Sequence, residues 1–222
     1  ENIRREICFA IEEMGLHPEH SHHESGPGQN EICFLYTGAL RAADNLNTFK
    51  STVKAIAARN GLFASFMPKP LADQPGSGLH VNISLLRDGQ NLFDGDLAPG
   101  SEAGHFVAGV LAHARELTAF CNPVPNSYAR LGARLDGIQR ELPLPEAVNR
   151  NLFLPSAAAG LECLPRTLRE AITVAAQSEF ISRELPIALQ NKYFQYQTLL
   201  CHGFETAPDP EAWDLANGFL VI

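Results

Sequence analysis

The chain has 222 residues, 45% of them hydrophobic, and a formal net charge of −8, so it is long enough to bury a core and too acidic for a broad nucleic-acid surface. Its five cysteines are odd in number, widely spaced and without a CxxC pair, so neither a disulfide framework nor a zinc ribbon is indicated and a reducing cytoplasm is favoured. No apolar run approaches the roughly 20 residues of a membrane span. Any phosphate that this globular chain binds should therefore be held by a few local side chains.

The predicted elements of the N-terminal part are helices with apolar residues at helical spacing and strands with alternating side chains. In chain order they are a helix over 2–14, strands over 17–25 and 31–37, a helix over 39–60 and strands over 62–67 and 79–86. Gly15 and Gly61 are typical helix stops, and Gly26-Pro27-Gly28 is a typical hairpin turn. We therefore expect a mostly antiparallel sheet over 16–86 that is backed by helices.

The C-terminal part has a different pattern. A helix is predicted over 102–120, residues 122–165 contain six of the fifteen prolines and no long periodic run, and a mostly helical segment follows over 166–201. The sequence thus predicts an α+β fold, in which a curved, mostly antiparallel sheet is backed by helices and followed by a helical part. We expect two regions, a sheet-and-helix region over 1–132 and a mostly helical region over 133–222.

Two acidic residues flank the predicted hairpin turn. Glu24 and Glu31 lie on the two predicted strands, where a tight turn brings them together. Two close carboxylates repel each other unless a cation lies between them, and Mg²⁺ and Mn²⁺ prefer oxygen ligands. Acids beside a hairpin are more often simply solvated, so both interpretations stay open. His22 and His23 point to opposite faces, so at most one of them can join such a site.

The strand predicted over 79–86 has one polar and one apolar face. Its polar residues are His80, Asn82 and Ser84, and its apolar residues are Leu79, Val81 and Ile83. An imidazole, an amide and a hydroxyl on one face, after the Gly-rich loop 76–78, can contact a metal, a phosphate oxygen and a ribose or base. A polar strand face turned to solvent is the competing interpretation.

Arg130 follows a proline-rich turn in the sequence NPVPNSYARLG. A guanidinium at this place can bind a carboxylate through two parallel hydrogen bonds. An arginine in a loop is more often a surface charge, so this role stays open as well. Nothing in the sequence resembles a nucleophile elbow, and a hydrolase triad is therefore not predicted.

Six blocks of the sequence, taken together, resemble the catalytic domain of type I glutamine synthetases. They follow that family's order and are HHE (22–24), GQNEI (28–32), AADNLNTFK (42–50), ASFMPKP (64–70), GSGLHVNIS (76–84) and NPVPNSYARL (122–131). The resemblance is continuous over about residues 1–132, and LDGI at 135–138, with the helical segment after it, is similar to the family's C-terminal helices. Six blocks in order make chance a poor explanation.

The resemblance implies a role for each matching residue. In chain order the implied roles are metal ligation by Glu24, Glu31 and His80, glutamate contact by Gly76, ATP contact by Asn82 and Ser84, and binding of the glutamate α-carboxylate, as a catalytic residue, by Arg130. The implied reaction is phosphoryl transfer from ATP to the γ-carboxylate of glutamate, after which ammonia displaces phosphate. Mg²⁺ or Mn²⁺ at two sites would screen the repulsion between the reacting anions.

The chain also departs from the family pattern. We expect it to begin after the family's N-terminal β-grasp domain and after the Glu-x-Glu strand that completes both metal sites. At Gly132-Ala133 it passes directly from NSYARLG to ARLDGI, so several dozen residues with the family's acidic lid loop and transition-state arginines are expected to be missing. Pro75 stands where the family usually has Asn, and Asn82 stands where many type I enzymes have a second His.

Two other functions stay open beside the glutamate–ammonia ligase. The missing Glu-x-Glu strand and arginines fit a glutamine synthetase-like module that binds metal or nucleotide without catalysis. A γ-glutamyl ligase for another amine also stays open, because the lid of the amine site, which would separate it from the ammonia ligase, is missing. The family assembles as stacked rings, so the resemblance implies a dodecamer for the full-length parent and leaves the assembly of this chain open. We expect no nucleic-acid and no membrane partner.

Overall fold

The structure of the chain is a computed structural model, and it describes residues 1–95, 100–131 and 163–219. Contacts group the chain into two units, one of Glu1–Ser77 with Leu215–Ile222 and one of Gly78–Asp214. The predicted division at 132/133 lies outside the described residues and stays a prediction. Among the helices of the described ranges, none is both long enough and apolar enough to cross a membrane.

The first unit is built on two helices that pack against each other. α1 (Asn2–Glu13) and α2 (Ala39–Arg59) bury apolar stripes, and each is followed two residues later by a glycine with positive φ, Gly15 at 82° and Gly61 at 70°. The core contains Ile7, Ile11, Leu16 and Ile56, with Ile32, Phe34, Phe49 and Val53 packed against them. A short π-helix, Leu215–Phe219, also belongs to this unit. The predictions of both long helices are confirmed.

The hairpin lies where the sequence predicts it. β1 (Pro18–His23) and β2 (Asn30–Phe34) pair in antiparallel register, with His22 opposite Glu31. Gly28 in the turn has a φ of 69°, a left-handed backbone conformation that glycine adopts without steric cost. Local turn chemistry was therefore sufficient to predict this pair of strands.

The structure corrects two predicted strands. Among the described residues, 62–67 and 79–85 have no strand pairing. Only the end of the second segment pairs, since Leu86–Arg87 (β3) forms a short ladder with Gln90–Asn91 (β4). Alternation sets the two faces of a strand, but a strand also needs neighbours that accept and donate its backbone hydrogen bonds. Alternation alone was therefore insufficient evidence for these strands.

The unpaired segment exposes side chains that the prediction placed in a core. Leu79, Val81 and Ile83 are 65%, 71% and 56% exposed. The described residues contain two separate two-stranded antiparallel sheets, where the prediction has one curved sheet over 16–86. The α+β class itself is confirmed, since helices and small antiparallel sheets occur along the same chain.

The second unit is mostly helical. Its helices are α3 (Glu102–Ala112), α4 (Ala114–Cys121), α5 (Pro125–Leu131), α6 (Leu168–Ala176), α7 (Glu179–Glu184), α8 (Ile187–Thr206) and α9 (Pro210–Asp214). The single helix predicted over 102–120 is divided at His113, whose ring stacks on Phe180 with 3.9 Å between ring centroids. Apolar spacing is compatible with one helix or two, so the pattern could not locate this break.

Small and aromatic side chains form the core of the second unit. They are Ala119, Leu168, Ala171, Ile172, Ala175 and Cys201, with Phe120, Tyr128 and Phe194 packed against them. The small alanines on α4 and α6 let these helices approach closely. Since Tyr128 belongs to α5, this short helix is anchored in the same core.

Candidate functional site

Three side chains of the hairpin converge on one point. The ligand atoms of His22, Glu24 and Glu31 all lie within 4.8 Å of one another. The Nε2 atom of His22 is 2.9 Å from a carboxylate oxygen of Glu24 and 3.9 Å from one of Glu31. The hairpin thus brings together the two acids that the sequence predicts as metal ligands, and it adds an imidazole. We call these three residues the hairpin cluster.

The register of the hairpin determines which side chains come together in the cluster. His22 and Glu31 lie opposite each other on the two strands, so their side chains leave the same face of the ladder. Glu24 follows β1 directly, and its backbone N–H donates to the Gln29 carbonyl at 3.0 Å, which keeps it beside the turn. Strand alternation in the sequence places His22, and not His23, on the face of Glu24, and the register then brings Glu31 to the same face.

Local hydrogen bonds set the charge state of the cluster. The His22 ring lowers the pKa of the Glu24 carboxyl, and the Ser25 N–H, 3.3 Å from an oxygen of Glu24, lowers this pKa further. Glu31 accepts a hydrogen bond from the Cys33 thiol at 3.2 Å. Burial, together with this contact to Glu31, raises the pKa of Cys33 to about 11, so the thiol is a neutral donor near neutral pH.

This donor set fits a hard divalent cation. A cation between two carboxylates removes their repulsion, and Mg²⁺ and Mn²⁺ both bind carboxylate oxygens. The imidazole favours Mn²⁺ over Mg²⁺, because Mg²⁺ retains its water and strongly prefers oxygen ligands. All three side chains are at least partly exposed, which leaves room for the water molecules that such ions keep.

A Gly-rich loop lies beside the hairpin turn in the same unit. The side-chain amide of Gln29 donates to the Gly76 carbonyl at 3.1 Å, across 47 positions of sequence. The loop is closed on itself by a 2.8 Å hydrogen bond from the Ser77 N–H to the Pro68 carbonyl. Gly76, which the sequence predicts to contact glutamate, is therefore fixed relative to the turn of the hairpin.

A second group of predicted residues lies around Gly78, in the other unit. A Cβ atom added to Gly78 would lie 3.3 Å from His80 Nε2 and 3.6 Å from Arg130 Nη1. Both of these side chains are exposed. The guanidinium of Arg130 favours an anionic ligand such as a carboxylate or a phosphate, and the imidazole of His80 beside it can bind a metal or hydrogen-bond to such a ligand. We call Gly78, His80 and Arg130 the Gly78 group.

Arg130 is positioned by a helix, although the sequence predicts a loop there. It lies in the last turn of α5, whose residues Asn126 and Ser127 are buried and whose Tyr128 packs in the helical core. The Asn126 side chain also hydrogen-bonds to the buried carboxyl of Asp214. These contacts hold the helix while the guanidinium at its end stays exposed.

Asn82 and Ser84, which the sequence predicts to contact ATP, lie on the unpaired segment and are exposed. The structure thus brings Glu24 and Glu31 together in one unit, and His80 and Arg130 together in the other. The predicted metal, ATP and glutamate contacts of these residues stay predictions. Sequence reasoning gives His22 no ligand role, although strand alternation places it on the face of Glu24, and the hairpin register that pairs it with Glu31 is the signal that adds it.

Comparison with known proteins supports the resemblance on which these roles depend. The family model described as glutamine synthetase, catalytic domain, matches residues 1–134 and 129–215. The glutamine synthetase of Staphylococcus epidermidis (strain RP62A) is 35% identical over an alignment that includes 90% of this chain. The chain spans only 58% of the length of that relative.

The same comparisons agree with the predicted internal gap. The two matched segments of the family model meet at residues 129–134. The alignment with the S. epidermidis enzyme extends over 258 residues, although this chain has 222. The relative therefore has residues without a counterpart here, as the passage from Gly132 to Ala133 predicts. That join itself lies outside the described residues.

Solved structures with a similar fold cover nearly the whole chain. Apo GmaS without ligand superposes with a TM-score of 0.83 at 26% identity, and the match covers 97% of this chain and 62% of that one. A GmaS/ADP complex superposes with a TM-score of 0.80 at 26% identity, over 97% of this chain and 63% of that one. The predicted resemblance is confirmed, and the chain belongs to the glutamine synthetase family, whose catalytic domain it represents in part.

Proposed function

We propose that this chain is part of an ATP-dependent ligase that joins ammonia to the γ-carboxylate of glutamate. Family membership supports this proposal, and the hairpin cluster is the observation that carries it. Phosphoryl transfer to a carboxylate brings two anions together, so the reaction needs cationic screening close to the reacting oxygens. Mg²⁺ or Mn²⁺ would supply that screening when bound.

In this proposal the first unit binds the cation and contacts glutamate. Glu24 and Glu31 provide charged oxygen ligands, and His22 provides a nitrogen ligand on the same face of the hairpin. The Gly76 loop, fixed to the hairpin turn through Gln29, contacts glutamate. A γ-carboxylate oxygen of glutamate attacks the γ-phosphorus of ATP and releases ADP. Ammonia then attacks the acyl carbon, and phosphate leaves as the amide forms.

The remaining roles are those that the family resemblance implies for four further residues. The exposed guanidinium of Arg130 binds the glutamate α-carboxylate, for which a bidentate geometry is suited. His80 binds a second cation, and Asn82 and Ser84 contact ATP. A nucleotide complex of GmaS, a solved structure of similar fold, supports nucleotide binding by this architecture.

We also propose that the full-length parent works as a homo-oligomer in the cytoplasm. The odd number and wide spacing of the cysteines, without a CxxC pair, support a reducing compartment. The oligomer, a dodecamer of stacked rings, is what the family resemblance implies.

The test is formation of γ-glutamyl hydroxamate from glutamate, ATP and hydroxylamine by the full-length parent. Hydroxylamine replaces the natural amine, so the assay measures acyl transfer without depending on which amine is used in the cell. We expect activity with Mn²⁺ or Mg²⁺ and a loss of at least about 100-fold in Glu31→Ala and in His80→Ala. Glu19→Ala, a glutamate on the same hairpin outside the cluster, is the matched control and should retain activity.

The assay also separates the alternatives. Full activity in both Glu31→Ala and His80→Ala would contradict the proposed roles of these residues as metal ligands. Binding of Mn²⁺ and an ATP analogue in calorimetric titration, without any turnover by the parent, would support a binding module without catalysis instead.

A further inference from the structure

We propose that Gln29 is a positioning residue, which ties the Gly76 loop to the hairpin turn and so sets where glutamate lies relative to the cation. The inference rests on the proposed function, because it concerns the geometry of that site. None of the roles that the resemblance implies falls on Gln29, but its hydrogen bonds give this side chain a task.

Gln29 is held at the turn by its backbone and by its side-chain oxygen. Its carbonyl accepts from the Glu24 N–H at 3.0 Å, and its N–H donates to the Gly26 carbonyl at 3.1 Å. The side-chain Oε1 accepts from the Gly26 N–H at 3.0 Å. A Cβ atom on Gly26, a buried glycine, would lie 2.7 Å from this Oε1, so the glutamine side chain lies directly over the turn.

The other end of the same amide reaches the loop. Nε2 of Gln29 donates to the Gly76 carbonyl at 3.1 Å, and this contact is partly buried. The loop is stiffened internally, since the Ser77 N–H donates to the Pro68 carbonyl and the Lys69 ammonium donates to the Gln74 carbonyl at 2.6 Å. Moving Gly76 away from the hairpin would therefore displace the loop as a whole.

The two contacts require a particular side chain. Oε1 must accept from Gly26 while Nε2 donates to Gly76, and an amide has both an acceptor and two donors. Glutamate keeps the acceptor but has no donor for the Gly76 carbonyl, and methionine keeps the length but loses both hydrogen bonds. These two substitutions therefore separate the link to the loop from the contact within the turn.

Gln29 touches neither the predicted ligand atoms nor, in the proposal, the substrate. Its loss should therefore act through Gly76 and weaken the use of glutamate while the hairpin cluster continues to bind the cation. In the full-length parent we expect Gln29→Met and Gln29→Glu to raise KM for glutamate by about five-fold or more. The Kd for Mn²⁺, measured by electron paramagnetic resonance, should change by less than about two-fold.

Gln74 provides the matched control. It lies on the same loop, and among the described residues its side chain makes no hydrogen bond. Gln74→Met makes the same chemical change without removing the link, so KM for glutamate and the Kd for Mn²⁺ should both match those of the unsubstituted parent.

Amide hydrogen exchange of the segment 68–77 tests the link without any activity. Exchange should become faster in both Gln29 variants, and it should stay unchanged in Gln74→Met and in helix α2. Unchanged exchange, unchanged KM for glutamate, or a loss of Mn²⁺ affinity as large as the loss in KM each overturns the positioning role. A parent without glutamate-dependent turnover rejects the proposed function alone, since the exchange measurement still decides the link.

Discussion

The hairpin cluster and the Gly78 group differ in how far apart in the sequence their residues lie. His22, Glu24 and Glu31 lie within one hairpin, whose turn and register follow from a short stretch of sequence. The Gly78 group combines an unpaired segment with an arginine from a helix about fifty residues later. A site assembled by one hairpin can be recognised locally, whereas a site assembled from distant elements depends on their packing.

This contrast predicts two kinds of mutational response. Changes in the hairpin cluster should alter cation affinity in the absence of any substrate, because the ligands are already close together. In the Gly78 group, a change at Arg130 should alter the use of anionic substrates, whereas a change at His80 should weaken binding of the proposed second cation.

The largest difference between neighbouring residues is expected in the Mn²⁺ affinity of variants at His22 and His23. His22→Asn removes a proposed ligand and should weaken Mn²⁺ binding by about ten-fold or more, whereas His23→Asn, on the opposite face, should leave it unchanged. The measurement is a Mn²⁺ titration followed by electron paramagnetic resonance. Equal effects of the two substitutions would contradict the assignment of His22 to the cluster.

A smaller effect is expected in the Gly78 group. The methyl group of Gly78→Ala would enter the space between His80 Nε2 and Arg130 Nη1, at 3.3 Å and 3.6 Å from them. Both side chains are exposed and can shift, so thermal unfolding should not change, but KM for glutamate should rise by about five-fold. Gly95→Ala, at a glycine with open space around its Cβ position, is the control. Loss of thermal stability without a change in KM for glutamate would show that the glycine at position 78 is needed for folding and not for glutamate binding.

Sequence reasoning succeeded where short-range chemistry decides the structure. The helices α1 and α2 follow from apolar spacing with a glycine stop, and the hairpin follows from its glycine turn. The proximity of Glu24 and Glu31 could be predicted for the same reason. In each of these elements, the contacts that decide the conformation are close in sequence.

It failed where distant residues decide the structure. The alternation over 79–86 is real, yet strand formation requires partners that a pattern of faces does not provide. At the break between α3 and α4, His113 stacks on Phe180, which is far along the chain. The helix that carries Arg130 is likewise stabilised by the contact between Asn126 and Asp214. Single-sequence periodicity carries none of this information.

Two tyrosines of the helical core, Tyr128 and Tyr193, differ in the hydrogen bonding of their hydroxyl groups. Burial raises the pKa of Tyr193 to about 12 and raises the pKa of Tyr128 as well. The Tyr193 hydroxyl donates to the Ala119 carbonyl at 2.7 Å, whereas within the described residues the buried Tyr128 hydroxyl has no partner. Tyr193→Phe should lower the free energy of unfolding by about 1 kcal/mol, and Tyr128→Phe should leave it unchanged or raise it. Equal losses in both variants would show that Tyr128 has a partner.

The smallest effect concerns Asp214, the partner of Asn126. Burial raises the pKa of its carboxyl, and the hydrogen bond from Asn126 opposes this shift. An acid with a raised pKa binds its proton more tightly in the folded state, so stability falls as pH rises from its unfolded pKa through its folded pKa. Asp214→Asn should therefore raise the unfolding free energy by less than about 1 kcal/mol at pH 7 and by less still at pH 4. Chemical denaturation at both pH values measures this, and a gain that is larger at pH 4 would reverse the expected sign.

The most direct test of the central claim, that this hairpin assembles a divalent-cation site, is a Mn²⁺ titration of the 222-residue chain followed by electron paramagnetic resonance. The comparison is between the unsubstituted chain, Glu31→Gln, and Glu19→Gln as the control on the same hairpin. We predict saturable Mn²⁺ binding by the unsubstituted chain and by Glu19→Gln, and its loss in Glu31→Gln. Saturable binding that Glu31→Gln leaves intact, or no binding by the unsubstituted chain, would contradict the claim.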